Sequence, residues 1–422
     1  MGQTTSAFLR TYAEKLHQFS PNARWYLASV VITGASMGVF RLLFNFYVLS
    51  QGYDETLLGN LITASSLTAL VVALPMGYLA DRLGRKRSLI LGAAAVSLAV
   101  WVMVLLPSAG MFVAMNVLMG LGQSLSGVSM GPFLMENSGD TERTYLFSFS
   151  SGFQTASAFV GNWIGGYLPT WIGGAIGVSP MATLAYGGAL MVIASVAALG
   201  IVPLLALRTP RLSASQRSAF APLTYFGSHA GILSKLVLPM LVTSIGAGLI
   251  MPFMNVFFRT VHHQPDPVIG SMFAWGSLAM GVGLLIAPPL ADRFGKIQLV
   301  VVTQALSIPF LALLGFAPWF GLSALAYYFR LALMNMSGPV YQTFVMEHVD
   351  AEGRATVASL VSMASNFGWA ISPTVSGWMQ VRYGFDPAFA GTILLYSLSV
   401  ALYWWFFWRT PRKMSLPARG RI

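Results

Sequence analysis

The chain has 422 residues, 56% hydrophobic and only 9% charged, with a mean hydropathy of +0.68. A soluble domain carries about 25% charged residues, so this composition excludes an ordinary water-soluble enzyme and points to a chain housed in a bilayer. It has no cysteine, which excludes disulfides, thiolate metal sites and cysteine nucleophiles, and its net charge of +11 has to be explained by placement.

Residues 1–24 (MGQTTSAFLRTYAEKLHQFSPNAR) lack the short apolar core and small-residue cleavage site of a signal peptide, and read as a polar, partly amphipathic cytoplasmic segment on the membrane surface. MGQTTS fits the myristoylation pattern loosely; a chance match is the plainer reading, because a polytopic protein gains little from one acyl chain.

About 20 apolar residues cross a bilayer as a helix. Such runs fall near 25–50, 56–80, 88–106, 111–135, 145–169 and 183–207, and again near 235–258, 268–291, 297–316, 319–345, 356–380 and 387–408. Twelve spans put both termini on one side. Of the 24 Lys and Arg, 20 fall on that side, Arg259 and Arg382 on the other, and Arg41 and Arg330 inside spans. That asymmetry predicts cytoplasmic termini in a multi-pass cell-membrane protein. The basic charge is then a topology signal facing anionic lipid, and nucleic acid is not an expected partner.

The loop after the second run reads LADRLGRKR at 79–87, and LADRFGK recurs at 290–296. Shifted by 211, Leu79, Ala80, Asp81, Arg82 and Gly84 land on Leu290, Ala291, Asp292, Arg293 and Gly295, and Arg85 lands on Lys296. At the same offset Met135, Glu136 and Arg143 land on Met346, Glu347 and Arg354, Gly59 lands on Gly270, and Gly166 on Gly377. The chain is therefore read as an N-terminal six-helix bundle (25–207), a cytoplasmic linker (208–234), a C-terminal six-helix bundle (235–408) in parallel orientation, and a basic cytoplasmic tail (409–422).

These residues resemble the major facilitator superfamily, whose loop between helices 2 and 3 reads roughly G-x-L-x-D-R-x-G-R-K/R. Gly77, Leu79, Asp81, Arg82, Gly84, Arg85 and Lys86 match it; in the second copy Pro288 replaces the glycine and Ile297 follows a lone Lys296. The loops are similar to those of the bacterial drug/proton antiporter-like and sugar-porter-like branches. The resemblance implies an all-α integral membrane fold of twelve transmembrane helices, without a cofactor, metal or catalytic residue. It also implies a cytoplasmic gate network of Asp81, Arg85, Glu136 and Arg143, with Asp292, Lys296, Glu347 and Arg354 as its counterpart. Ordinary solvated loop charges are the alternative, at about 0–1 kcal/mol per pair.

No Asp, Glu or Lys lies near the centre of a span, so a coupling proton has no obvious central carrier and, as a partner, would work through Asp54, Glu136 or a bound anionic substrate. Arg41 (GVFRLLFNFYVL) and Arg330 (AYYFRLALMN) are embedded; each either binds an anionic group through its bidentate fork or is structural, Arg41 by bonding carbonyls and Arg330 by reaching the outer surface. Further candidates to face a cavity are Asn45, Gln123, Ser126, Gln154, Asn162, Asn255, Gln304, Asn335, Tyr341, Gln342, Asn366 and Trp369, against the alternative of helix–helix bonds. GNWIGG at 161–166 has Asn162 where drug/proton antiporters often carry proline, which detracts from an efflux reading. His262-His263 has no Asp, Glu or Cys cluster nearby and is not expected to bind metal.

The expectation is a monomeric secondary transporter of a small organic solute, an exporter working by alternating access. The alternatives are an organic-anion or phosphorylated-metabolite carrier using Arg41, a carrier of lipid-like substrates, and a non-transporting receptor or scaffold on the same fold. No HExxH, GxSxG or nucleotide-binding GxxxxGK[ST] appears, so neither an embedded enzyme nor ATP-driven pumping is expected.

Overall fold

The computed structural model describes residues 19–139, 143–208, 221–347 and 354–409. The first 18 residues, linker residues 209–220 and the tail beyond 409 lie outside them, and so do the side chains of Arg143 and Arg354.

Helices run through the described chain: α1 (Pro21–Ser50), α2 (Glu55–Val71), α3 (Ala73–Leu83), α4 (Arg85–Leu105), α5 (Ala109–Glu136), α6 (Arg143–Ile176), α7 (Thr183–Leu199), α8 (Ile201–Leu205) and α9 (Ala221–Ile250). They continue as α10 (Met254–Thr260), α11 (Asp266–Phe294), α12 (Lys296–Phe316), α13 (Phe320–Glu347), α14 (Arg354–Tyr383) and α15 (Asp386–Tyr403). Among the described residues eight spans are long and apolar enough to cross a membrane, and nine if α2 and α3, bent by 60°, count as one. Pro75 explains that bend, because its nitrogen cannot donate to the carbonyl one turn earlier. The remaining long helices, α6, α13 and α14, dilute their apolar runs with residues such as Asn162, Arg330 and Asn366.

Local chemistry sets the ends. Asp54 Oδ1 accepts from Leu57 N at 3.0 Å at the start of α2, and Ser108 Oγ accepts from Met111 N at 3.3 Å at the start of α5; both are N-caps that satisfy an orphan amide. Gly84 and Gly295, the repeat-related loop glycines, adopt φ of 82° and 92°. Side chains are disfavoured in that region. The Gly84 N–H donates to Ala80 O at 3.0 Å and its carbonyl accepts from Ser88 N at 3.1 Å; Gly295 repeats this with Ala291 at 2.9 Å and Leu299 at 3.0 Å. One residue thus ends one helix and starts the next.

By contact, residues 1–47 with 71–215 form one compact unit and residues 48–70 with 216–422 another. In the first, Phe19, Tyr26, Leu89, Phe133, Leu134 and Leu146 belong to one buried cluster. In the second, a buried cluster contains Val300, Phe344, Val345 and Val357. Leu89, Phe133, Leu134 and Leu146 map onto those four at the 211-residue offset, so the repeat is written in core packing as well as in loop charges. Without a strong hydrophobic drive between helices in lipid, close backbone approach matters more. A Cβ on Gly161 of α6 would lie 2.1 Å from Ala35 O of α1, and one on Gly38 would lie 2.8 Å from Ala158 O. In the second unit a Cβ on Gly368 of α14 would lie 2.1 Å from the Ser244 carbonyl carbon of α9. The α2 helix joins this unit: a Cβ on Gly59 would meet Pro373 O, and one on Gly377 would meet Glu55 O.

Candidate functional site

The loop charges form an ion cluster in each unit. In the first, Arg85 lies at the start of α4 because Gly84 turns the chain there. Its Nη1 donates to Asp81 Oδ1 at 2.7 Å and its Nε to Glu136 Oε1 at 3.2 Å. One planar guanidinium therefore ties the end of α3 to the end of α5, using two donors of its fork. Asp81 is about half exposed, which limits what the pair contributes. In the second unit Lys296 donates to Glu347, while Asp292 is exposed and makes no ion pair with a described residue. A lysine offers one compact charge where arginine offers a fork.

Lys86 has a separate role that its place in the loop motif did not signal. Its Nζ donates to the carbonyls of Leu205 (2.6 Å) and Leu207 (2.8 Å), capping the end of α8 with a cation. Asn137, directly after Glu136, accepts from Asn22 Nδ2 (2.8 Å) and, through its carbonyl, from Ser20 Oγ (2.9 Å). Asn22 Nδ2 also donates to Arg208 O at 2.7 Å. The chain entering α1 is thereby tied to the segment after α5 and to the end of the unit.

A cavity of about 330 Å³ opens inside the first unit. Its walls come from α1, α4, α5, α6 and α7, with Leu204 of α8, and include Gln123 and Gln154 from the sequence candidates together with Ser126. Tyr26, Met37, Phe40, Ser97 and Met130, which no sequence signal singled out, also line it. Ligand pockets of this size are mostly apolar with a few convergent polar groups. Arg41 is not in the wall. It is exposed, makes no hydrogen bond or ion pair with a described residue, and lies four residues beyond Met37 on the same face of α1. Asn45 and Asn162 are buried elsewhere in this unit.

The second unit does not gather its candidates. Arg330 is 1% exposed; its Nη2 donates to Tyr396 Oη at 3.0 Å, its Nη1 lies 3.1 Å from Met251 Sδ, and its Nε has no partner. Tyr341 is buried and donates to Leu236 O, and Asn255 is buried. Asn335 donates to Leu331 O (2.8 Å) and Asn366 to Ser362 O (2.7 Å), each bonding its own preceding turn. Trp369 is partly exposed. Among the described residues no group of three or more His, Asp or Glu is gathered as a metal site would need.

The sequence profile described as Major Facilitator Superfamily matches residues 26–241 and 236–421. The chain is 23% identical over 403 residues to multidrug resistance protein MdtG of Serratia proteamaculans (strain 568), covering 91% of this chain and 93% of that protein. Among solved structures it is similar to a bacterial homologue of the human lysosomal transporter Spinster in an inward-facing, occupied conformation, with a TM-score of 0.77, 14% identity, and coverage of 94% of this chain and 100% of that one. It is also similar to the nucleoside transporter NupG, with a TM-score of 0.73, 14% identity, and coverage of 93% and 99%. A D-xylose–proton symporter follows, with a TM-score of 0.66, 17% identity, and coverage of 94% and 98%. At these identities the structures speak to the fold alone.

Proposed function

Because this chain belongs to the major facilitator superfamily, we propose that it exports a small organic solute across the cell membrane by alternating access. It is a transporter and not an enzyme, with twelve transmembrane helices in two parallel six-helix repeats. Under this reading residues 25–207 and 235–408 are the two moving bodies, both termini are cytoplasmic, and a monomer suffices.

The observation that carries the mechanism is Arg85 bridging Asp81 and Glu136. Three charges on separate helix ends, partly exposed and joined by hydrogen bonds, make a contact strong enough to hold a conformation and weak enough to break in each cycle. The counterpart Lys296–Glu347 supports the same reading for the second repeat. Similarity to MdtG, whose name is that of a multidrug resistance protein, supports outward movement of organic compounds.

The test is uptake of fluorescent neutral and anionic dyes into proteoliposomes carrying inside-out protein, with and without a pH gradient. Uptake above protein-free vesicles is expected, slowed in Asp81→Asn. No dye moving in either protein orientation would overturn the proposal. A second reading, an organic-anion carrier, is favoured by the exposed Arg41, which pairs with no described residue; uptake confined to anions and lost in Arg41→Ala would select it.

A further inference from the structure

Every residue in the wall of the 330 Å³ cavity belongs to the first unit, and none of them is Asp, Glu, Lys, Arg or His. A charged ligand entering it would lose water with no counter-ion in the wall, which is costly. Several polar wall groups are already bonded within the protein, the Tyr26 and Ser150 side chains to each other. Ser29 Oγ donates to Gly200 O (2.7 Å), Thr33 Oγ1 to Ser29 O (2.8 Å) and Ser36 Oγ to Ile32 O (2.9 Å), so those hydroxyl protons already have acceptors. Ser97 does not follow them. It is 4% exposed, and its Oγ is buried with no hydrogen-bond partner among the described residues. A buried unsatisfied hydroxyl in a native fold calls for an explanation, and a ligand that completes its bond is one. The carboxamides of Gln123 on α5 and Gln154 on α6 likewise make no hydrogen bond with a described residue. Each amide offers two donors and one acceptor oxygen. Between them the wall is apolar, with Phe40, Met37 and Met130 supplying adaptable contact area.

We propose that this cavity is a recognition site for an uncharged organic ligand carrying both a hydrogen-bond donor and an acceptor on an aromatic or otherwise flat apolar body, held by Gln123 and Gln154, with Ser97 also in the wall. The inference rests on the transporter reading for its purpose, but its chemistry stands on the cavity alone. It assigns specificity to neutrality: the site accepts an amide and refuses the matching acid, because an amide wall can pair with either end of a neutral dipole but cannot neutralise a charge.

The test uses two probes of nearly equal shape that differ in charge, dansylamide and the corresponding dansyl sulfonate, titrated by fluorescence into the detergent-purified full chain. Dansylamide is expected to bind at least tenfold more tightly than the sulfonate. Gln123→Leu and Gln154→Leu are each expected to weaken it by roughly three- to tenfold, the scale of one net hydrogen bond. Thermal unfolding of each variant checks that it is folded. Gln123→Asn, which keeps the amide but withdraws it by one methylene, serves if the leucine variant does not fold, and is expected to weaken binding as well. Equal or tighter binding of the sulfonate, unchanged affinity in both glutamine variants, or binding of neither probe to folded protein would overturn the proposal. Proteoliposome transport keeps this apart from the transporter reading: glutamine-dependent dansylamide binding without any transport sinks only that reading, and transport of the sulfonate without amide binding sinks only this one.

Discussion

Arg330 and Tyr396 lock to each other inside the second unit: the guanidinium donates to the phenol oxygen at 3.0 Å, with its carbon 5.5 Å from the ring centroid. No described carboxylate pairs with Arg330, so the phenol and the Met251 sulfur are what its guanidinium meets. Hydrogen bonds to a charged group contribute about 1.5–3 kcal/mol. Tyr396→Phe is expected to lower stability by about that amount. Arg330→Met, which removes the buried charge, is expected to be near neutral or stabilising. In a double-mutant cycle read by thermal unfolding, Tyr396→Phe should then cost little in the Arg330→Met background. Additive losses would show that the pair is not coupled.

The two loop ion clusters, proposed above as gates, give a built-in comparison. Arg85 holds two carboxylates, whereas Lys296 holds Glu347 and leaves Asp292 exposed. Arg85→Lys is therefore expected to behave like the second repeat, keeping one carboxylate and releasing the other. With partners this exposed, the stability change should stay within about 1 kcal/mol. Transport should fall more than stability does, in both Arg85→Lys and Asp81→Asn. Initial rates in proteoliposomes, normalised to inserted protein, measure it. Wild-type rates in both variants would remove the gate assignment.

The charged loop clusters were legible in the sequence for a physical reason. Charges are only 9% of the residues, so a charged phrase repeated at one offset stands out against apolar background. The loop glycines were legible for the same reason, and Gly84 and Gly295 occupy matching left-handed turns. Interior polar residues were harder. Asn335 and Asn366 bond their own helices, and nothing in a linear pattern separates that from a ligand-facing amide. The Arg330–Tyr396 pair joins positions 66 apart, and Tyr396 is one of 15 tyrosines. The cavity depends on the rotation of its walls about their axes, which an almost uniformly apolar sequence barely encodes. Gln123 and Gln154 were found as residue types; Ser97 was not, because a serine in a membrane helix carries no distinguishing signal.

Close packing of α1 against α6 makes an internally controlled prediction. A Cβ on Gly161 would sit 2.1 Å from the Ala35 carbonyl oxygen, a backbone atom that cannot swing aside. Gly152, on the same helix, has nothing within 4 Å of its would-be Cβ. Gly161→Ala is expected to destabilise by about 1–3 kcal/mol through overpacking. Gly152→Ala should stabilise by about 0.5–1 kcal/mol through backbone entropy. Melting temperatures of the two variants in one detergent check the opposite signs. A gain of similar size in both would mean that helix propensity, not the α1–α6 contact, governs this helix.

His262 is expected to contribute a pH dependence to stability. It lies between α10 and α11, outside the spans, with its ring 5.3 Å from Phe257, 5.7 Å from Phe258 and 6.1 Å from Phe320. Its Nε2 is buried without a partner among the described residues. Burial among these rings, and secondarily the neighbouring charge of His263, pushes its pKa below the ordinary 6.5. The folded protein therefore holds His262 neutral where the unfolded chain is already protonating. Above pH 6.5 both states are neutral and this residue adds no slope. As pH falls below 6.5 the unfolded chain binds the extra proton and stability declines, levelling only once pH has passed the lowered folded value. Melting temperatures taken from pH 8 down to pH 5 should be flat and then fall, and His262→Phe, which keeps the ring packing but cannot titrate, should lose part of that fall. A variant with the wild-type profile would show that His262 is not the group responsible.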